Sequence, residues 1–89
     1  MKTLLVNIFG RVQGVGFRYF AQKTALAHQI YGWVKNELDG SVTLKISGDE
    51  EQLDVFLKAL EVGNGFSKVE CISMEDIETS EFEGFHVEY

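Results

Sequence analysis

No proline occurs anywhere in the 89 residues, so one common marker of loops is missing and the turns must be read from glycine, asparagine and aspartate. Cysteine is nearly absent as well. Cys71 stands alone, which excludes an intramolecular disulfide, a CxxC redox pair and a thiolate cluster for zinc or iron–sulfur, and points to a reducing compartment. The two histidines, His28 and His86, have no partners at ligand spacing, so no metal or other cofactor is expected. Basic side chains are scarce too: eight against fourteen acidic ones, a net charge of −6. The overall field therefore repels a nucleic acid, and only a local basic patch is left to attract an anion. The opening apolar run is too short to cross a bilayer and lacks a small-residue cleavage site, so the expectation is a cytoplasmic protein without a membrane partner. Repeats, low-complexity tracts and linkers are missing as well.

What is present is an ordinary globular composition, 45% hydrophobic and 25% charged, unlike that of a disordered chain. The length leaves no room for a second core, so residues 1–89 read as one domain. Residues 3–9, TLLVNIF, form a β-branched, apolar strand halted by Gly10. A helix then starts near Phe17 and carries a stripe of Phe17, Phe20, Ala21, Thr24, Ala25 and His28 to about Gln29. Strands follow at 31–36 and 42–47, joined through the Asp39-Gly40 turn signal. Asp49 is placed to cap a second helix with Gln52 as its capping-box partner, Leu53, Phe56, Leu57 and Leu60 mark its inner face, and Gly63 stops it. Residues 68–77 read as a fourth strand and 85–89 as a short last one, with ordinary loops at 63–67 and 78–84. The order β-α-β-β-α-β plus a tail strand predicts an α+β, ferredoxin-like sandwich: an antiparallel sheet of four to five strands with both helices on one face.

The chemistry concentrates where the first strand gives way to the first helix. In Arg11-Val12-Gln13-Gly14-Val15-Gly16-Phe17-Arg18, two glycines let the backbone wrap closely around a tetrahedral oxyanion. The free N–H groups and positive end of the helix converge on the same place. Arg18 falls in the first helical turn, within reach of that anion through a two-pronged guanidinium. No Lys-Ser/Thr pair follows the last glycine, so this is neither a nucleotide P-loop nor a dinucleotide fingerprint. From spacing alone, a strained turn without a ligand fits as well as an anion site.

A second run decides between them. Gly32-Trp33-Val34-Lys35-Asn36 is followed by Asp39-Gly40-Ser41-Val42 and then Gly48. The run from Ile8 to Arg18 resembles the first motif of the acylphosphatase family, and Gly32 to Gly48 resembles the second, in the same order and at the same separation. The resemblance extends over nearly the whole chain. It implies metal-free hydrolysis of an acyl phosphate, a carboxyl–phosphate anhydride, to a carboxylate and inorganic phosphate. It further implies Arg18 as the phosphate-binding arginine, Asn36 as the residue that positions the attacking water, and residues 11–16 as the phosphate loop. Asn36 taken alone reads as a turn residue, but its amide is donor and acceptor at once and suits orienting water rather than deprotonating it. The partners implied are a small acyl phosphate, with inorganic phosphate or sulfate as competing anions, and the protein is expected to be a monomer.

Other residues read plainly. Arg11 and Lys35 are solvated cations with a secondary role in steering a dianion, and Glu50-Glu51 suit a helix N-terminus. Trp33, Phe17 and Tyr89 read as packing, Cys71 as a buried strand residue, and His28 and His86 as surface or satisfied histidines. Val62-Gly63-Asn64-Gly65-Phe66-Ser67 stands where many acylphosphatases have a proline-containing loop, which implies a less rigid connection. Two alternatives stand beside the enzyme: a non-catalytic ferredoxin-like phosphate- or ligand-binding module, and an acylphosphatase-like domain serving carbamoyl-phosphate chemistry.

Overall fold

In the computed structural model, which describes residues 1–79 and 81–89, seven elements follow one another: β1 (Lys2–Arg11), α1 (Phe17–Ala27), β2 (Tyr31–Asn36), β3 (Val42–Gly48), α2 (Glu50–Val62), β4 (Lys68–Ile77) and β5 (Phe85–Glu88). The five strands form one sheet in the order β4-β1-β3-β2-β5. Alternation along β1 places Leu4, Val6 and Ile8 on one face, where they meet Val42, Leu44 and Ile46 of β3 and Val34 of β2 in the core. Phe17, Ala21 and Ala25 of α1, four residues apart, and Leu53, Phe56, Leu57 and Leu60 of α2 close over that face. The expected sandwich is therefore the observed one.

The sheet is mixed, not purely antiparallel. β1–β3, β1–β4 and β2–β3 are antiparallel, but β5 pairs with β2 in parallel, Gly32 opposite Phe85 and Lys35 opposite Glu88. The cause is topological. β4 occupies one edge, the chain after it passes the end of the sheet where Met1, Tyr31 and Ser47 lie to reach the far edge, and β5 there runs opposite to β4 and in the same direction as β2. The loop expected at 78–84 falls on this crossing, and of it Ser80 lies outside the described residues.

Smaller corrections have local causes. Helix α1 ends at Ala27 rather than Gln29, because Gln29 adopts a left-handed φ of 56° and the Ile30 N–H turns back to the Ala25 carbonyl. The capping box of α2 does not form: Asp49 occupies the N-cap position but makes no side-chain cap bond, and Gln52 Oε1 lies 3.2 Å from His28 Nδ1 at the end of α1. That contact makes His28 a satisfied histidine, while exposed His86 lies 2.6 Å from the Glu83 carbonyl. Cys71 is exposed rather than buried, since β4 is an edge strand and only Val69 and Ile72 of its apolar residues reach the core. Tyr89 lies just past β5 instead of within it.

Candidate active site

The end of β1, the start of α1 and the end of β2 meet at one end of the sheet. Val12 is fully buried and pins the chain as it leaves β1, and Val15 packs on the core from the middle of the loop. Between and beyond them, Gly14 and Gly16 take left-handed φ values of 74° and 75°, a conformation that L side chains rarely adopt. This bend delivers the chain to α1 with Gly16 at its N-cap, and the Gly16 carbonyl receives the first helical bond, from Phe20 N–H at 3.1 Å. Unlike α2, which begins with Glu50 and Glu51, α1 has no acidic residue in its first turn. Its positive end is left uncompensated, which suits an incoming anion.

A small pocket of about 130 Å³ opens there, lined by Val12, Gly14, Gly16, Phe17, Arg18, Tyr19 and Asn36. Arg18 and Asn36, one from each motif and on different elements, thus share one cavity with the glycine loop. Arg18 is half-buried, and its Nη1 donates to the Glu88 carbonyl at 2.7 Å. Its guanidinium carbon sits 4.8 Å from the centroid of the Tyr89 ring, and the Tyr89 hydroxyl is hydrogen-bonded to that of Tyr19. Tyr89 is therefore not packing, as the sequence suggests, but an exposed ring over the arginine. Phe17 is buried as expected, and Trp33 is half-buried beneath the Lys35 ammonium, 5.5 Å from its ring centroid.

Asn36 is exposed at the end of β2, opposite Val42. Gln13 secures the loop that follows it: its Nε2 donates to the Glu37 carbonyl at 2.8 Å and to the Ser41 carbonyl at 2.7 Å, stapling the glycine loop to the β2–β3 connection. That connection is further closed by the Glu37 N–H on the Ser41 carbonyl at 2.8 Å. Asp39 braces it by accepting from the Ser41 hydroxyl at 2.5 Å and the Ser41 N–H at 2.9 Å, bonds that hold its carboxyl below the ordinary 3.8. Of the loop residues, Gln13 and Val15 turn their side chains away from the cavity, and exposed Arg11 closes the β1–β4 ladder opposite Lys68. From behind, Asn64 Nδ2 donates to the Val15 carbonyl at 2.8 Å. Sequence reasoning misses Asn64, Glu88 and Tyr89, all of which act through partners far away along the chain.

Among the described residues no group of three or more His, Cys, Asp or Glu side chains is arranged to hold a metal ion. A roomier depression of about 700 Å³ lies at the other end of the sheet, lined by Met1, Tyr31, Ser47, Thr79, Glu81, Phe82 and Glu83. Its carboxylate side chains, Glu81 and Glu83, repel an anion.

The acylphosphatase family model matches residues 4–87. The chain belongs to the acylphosphatase family. An acylphosphatase of Bacillus licheniformis is 53% identical over 80 residues, covering 90% of this chain and 87% of that one. The crystal structure of the acylphosphatase from Bacillus subtilis superposes with a TM-score of 0.95 at 41% identity, over the whole of both chains. The same acylphosphatase fold recurs within a longer protein: the crystal structure of T. kodakarensis HypF matches all of this chain with 12% of its own length, at a TM-score of 0.84 and 31% identity. Family membership and the ferredoxin-like sandwich thus agree with the resemblance carried by the two motifs.

Proposed function

We propose that this acylphosphatase hydrolyses small acyl phosphates without a metal, using the loop of residues 11–16 and Arg18 to hold the phosphoryl group and Asn36 to place the water. The observation that carries this reading is the shared pocket of Gly14, Gly16, Arg18 and Asn36. Loop N–H groups and the guanidinium surround three phosphoryl oxygens, and Asn36, across the cavity, orients water for in-line attack. The water oxygen bonds to phosphorus as the bond from phosphorus to the acyl oxygen breaks, and the pair of electrons leaves with the carboxylate. One of the water's protons stays on the attacking oxygen and the other passes to a phosphoryl oxygen, yielding dihydrogen phosphate. A carboxylate is a good leaving group that needs no acid, and a loose phosphoryl-transfer transition state asks mainly for positioning and charge stabilisation. A site without a catalytic carboxylate or histidine is adequate for that task.

The decisive experiment is hydrolysis of benzoyl phosphate with and without a strong chelator, in the presence of graded phosphate or sulfate. Chelator-insensitive turnover and competitive inhibition by both anions support the reading. Activity that disappears on chelation and returns with a divalent ion refutes the metal-free mechanism, and purely non-competitive inhibition places the anion site elsewhere. A single cysteine left exposed suits a cytoplasmic setting. The alternative of carbamoyl-phosphate chemistry is tested by one further comparison, of carbamoyl phosphate against benzoyl phosphate as substrate.

A further inference from the structure

We propose that Asn64, in the loop after α2, is a positioning residue of the anion cradle: it fixes the Val15–Gly16 peptide so that the Gly16 N–H faces the pocket. The proposal rests on the reading of this pocket as the phosphoryl site. Asn64 is half-buried and lies outside the pocket wall, so it acts from behind. Its Oδ1 accepts from the N–H groups of Phe66 and Ser67, at 3.0 Å each, and its own N–H donates to Ser67 Oγ at 3.3 Å. These bonds organise the 63–67 loop around the asparagine and leave Nδ2 aimed at the Val15 carbonyl, 2.8 Å away.

The consequence follows from peptide geometry. Among the described residues no peptide bond is cis, and in a planar trans peptide the C=O and N–H point in opposite directions. Drawing the Val15 oxygen towards Asn64 therefore turns the Gly16 N–H the other way, towards the cavity that Gly16 lines. Among the described residues no acceptor meets that N–H. Left alone, this peptide has a low barrier to error. Its rotation is shared between Val15 and Gly16, and a glycine accepts either orientation at little cost. The flipped peptide would present a carbonyl oxygen to the phosphoryl group and replace an attraction by a repulsion.

Asn64→Asp is the sharp test, because it keeps acceptors for Phe66 and Ser67 while removing the donor to Val15. We expect the inhibition constant for inorganic phosphate to rise about tenfold or more, as for loss of a hydrogen bond to a charged group. A similar drop in kcat/KM for benzoyl phosphate is expected, with the unfolding midpoint near wild type. Raising the salt concentration should not restore binding, which separates the lost donor from the added charge. In the wild-type protein, phosphate should shift the Gly16 amide resonance, and in Asn64→Asp that response should be lost. A folded variant with phosphate inhibition within twofold of wild type, recovery at high salt, or an unchanged Gly16 response overturns the proposal. Should the variant not fold, a wild-type Gly16 resonance that ignores phosphate while neighbouring amides respond overturns it equally. A wild-type protein that binds phosphate through Gly16 but leaves benzoyl phosphate intact refutes the enzymatic reading alone.

Discussion

The Arg18 guanidinium is held over the Tyr89 ring, 4.8 Å from its centroid, and tied to the carbonyl of the preceding residue, Glu88, at 2.7 Å. In the proposed mechanism this arginine meets a small dianion, and the clamp removes many of its rotamers before the substrate arrives. Tyr89→Leu should weaken competitive inhibition by phosphate about two- to fivefold, the loss appropriate to an exposed cation–π contact. Tyr89→Phe keeps the ring and should stay close to wild type. Equal behaviour of the two variants would show that the stacked ring does not orient Arg18.

Arg18 and Asn36 should fail differently. In the proposed mechanism the guanidinium removed by Arg18→Gln serves bound phosphate and transition state alike, so both phosphate affinity and turnover should fall. Asn36→Ala should leave phosphate affinity near wild type while costing about 2.7–4 kcal/mol of transition-state stabilisation, typical of one positioned hydrogen-bonding group. Steady-state kinetics with phosphate as inhibitor, on variants shown to unfold at wild-type temperature, distinguish the two. Near-normal turnover in Asn36→Ala would return that residue to the role of a turn former.

At Gly14 an added Cβ would meet nothing within 4 Å, and at Gly16 only Asn64 Nδ2 at 3.8 Å. Alanine at either position should therefore cost conformational energy rather than a clash, about 1–2 kcal/mol for a left-handed L residue. Urea unfolding measures that loss directly. A neutral Gly14→Ala would mean that the loop relaxes to another conformation, and its phosphate affinity would then report what the relaxed loop has lost.

The Asp39–Ser41 turn should be felt in acid. Because the folded carboxyl titrates below 3.8, its contribution to stability is fully present above that value and disappears as the pH falls through the lower folded value. Asp39→Asn should thus melt below wild type at neutral pH, with the difference narrowing in strongly acidic solution. A difference independent of pH would assign the effect to packing rather than charge.

Much of this molecule is written in local pattern. The apolar run TLLVNIF, the alternation of VTLKIS and the Leu53–Leu60 face predict their elements because each pattern is a property of its segment alone. Gly14, Gly16 and Arg18 are legible for a similar reason: they are adjacent, and the conformation one needs serves the others. Strand order is not local, which is why the parallel docking of β5 escapes a reading that sees only periods and turns. The capping box of α2 failed because Gln52 met His28, a partner offered only by the packed helices. Asn64 and Tyr89 carry no pattern at all. Their importance lies in a carbonyl and a guanidinium brought near by the fold.

The parallel pairing of β2 with β5 also has a bearing on time. Its contacts join residues from distant parts of the chain, Gly32 with Phe85 and Lys35 with Glu88, so the loop-closure entropy between them must be met before they form. Once formed, β5 is only four residues long and lies at an edge, which makes it the segment whose local opening requires least free energy. Each such opening takes the Glu88 carbonyl and the Tyr89 ring away from Arg18 while β1, β3 and the two helices remain intact. On the role proposed for Arg18, its clamp is accordingly the first part of the site surrendered on warming, ahead of any change in the core.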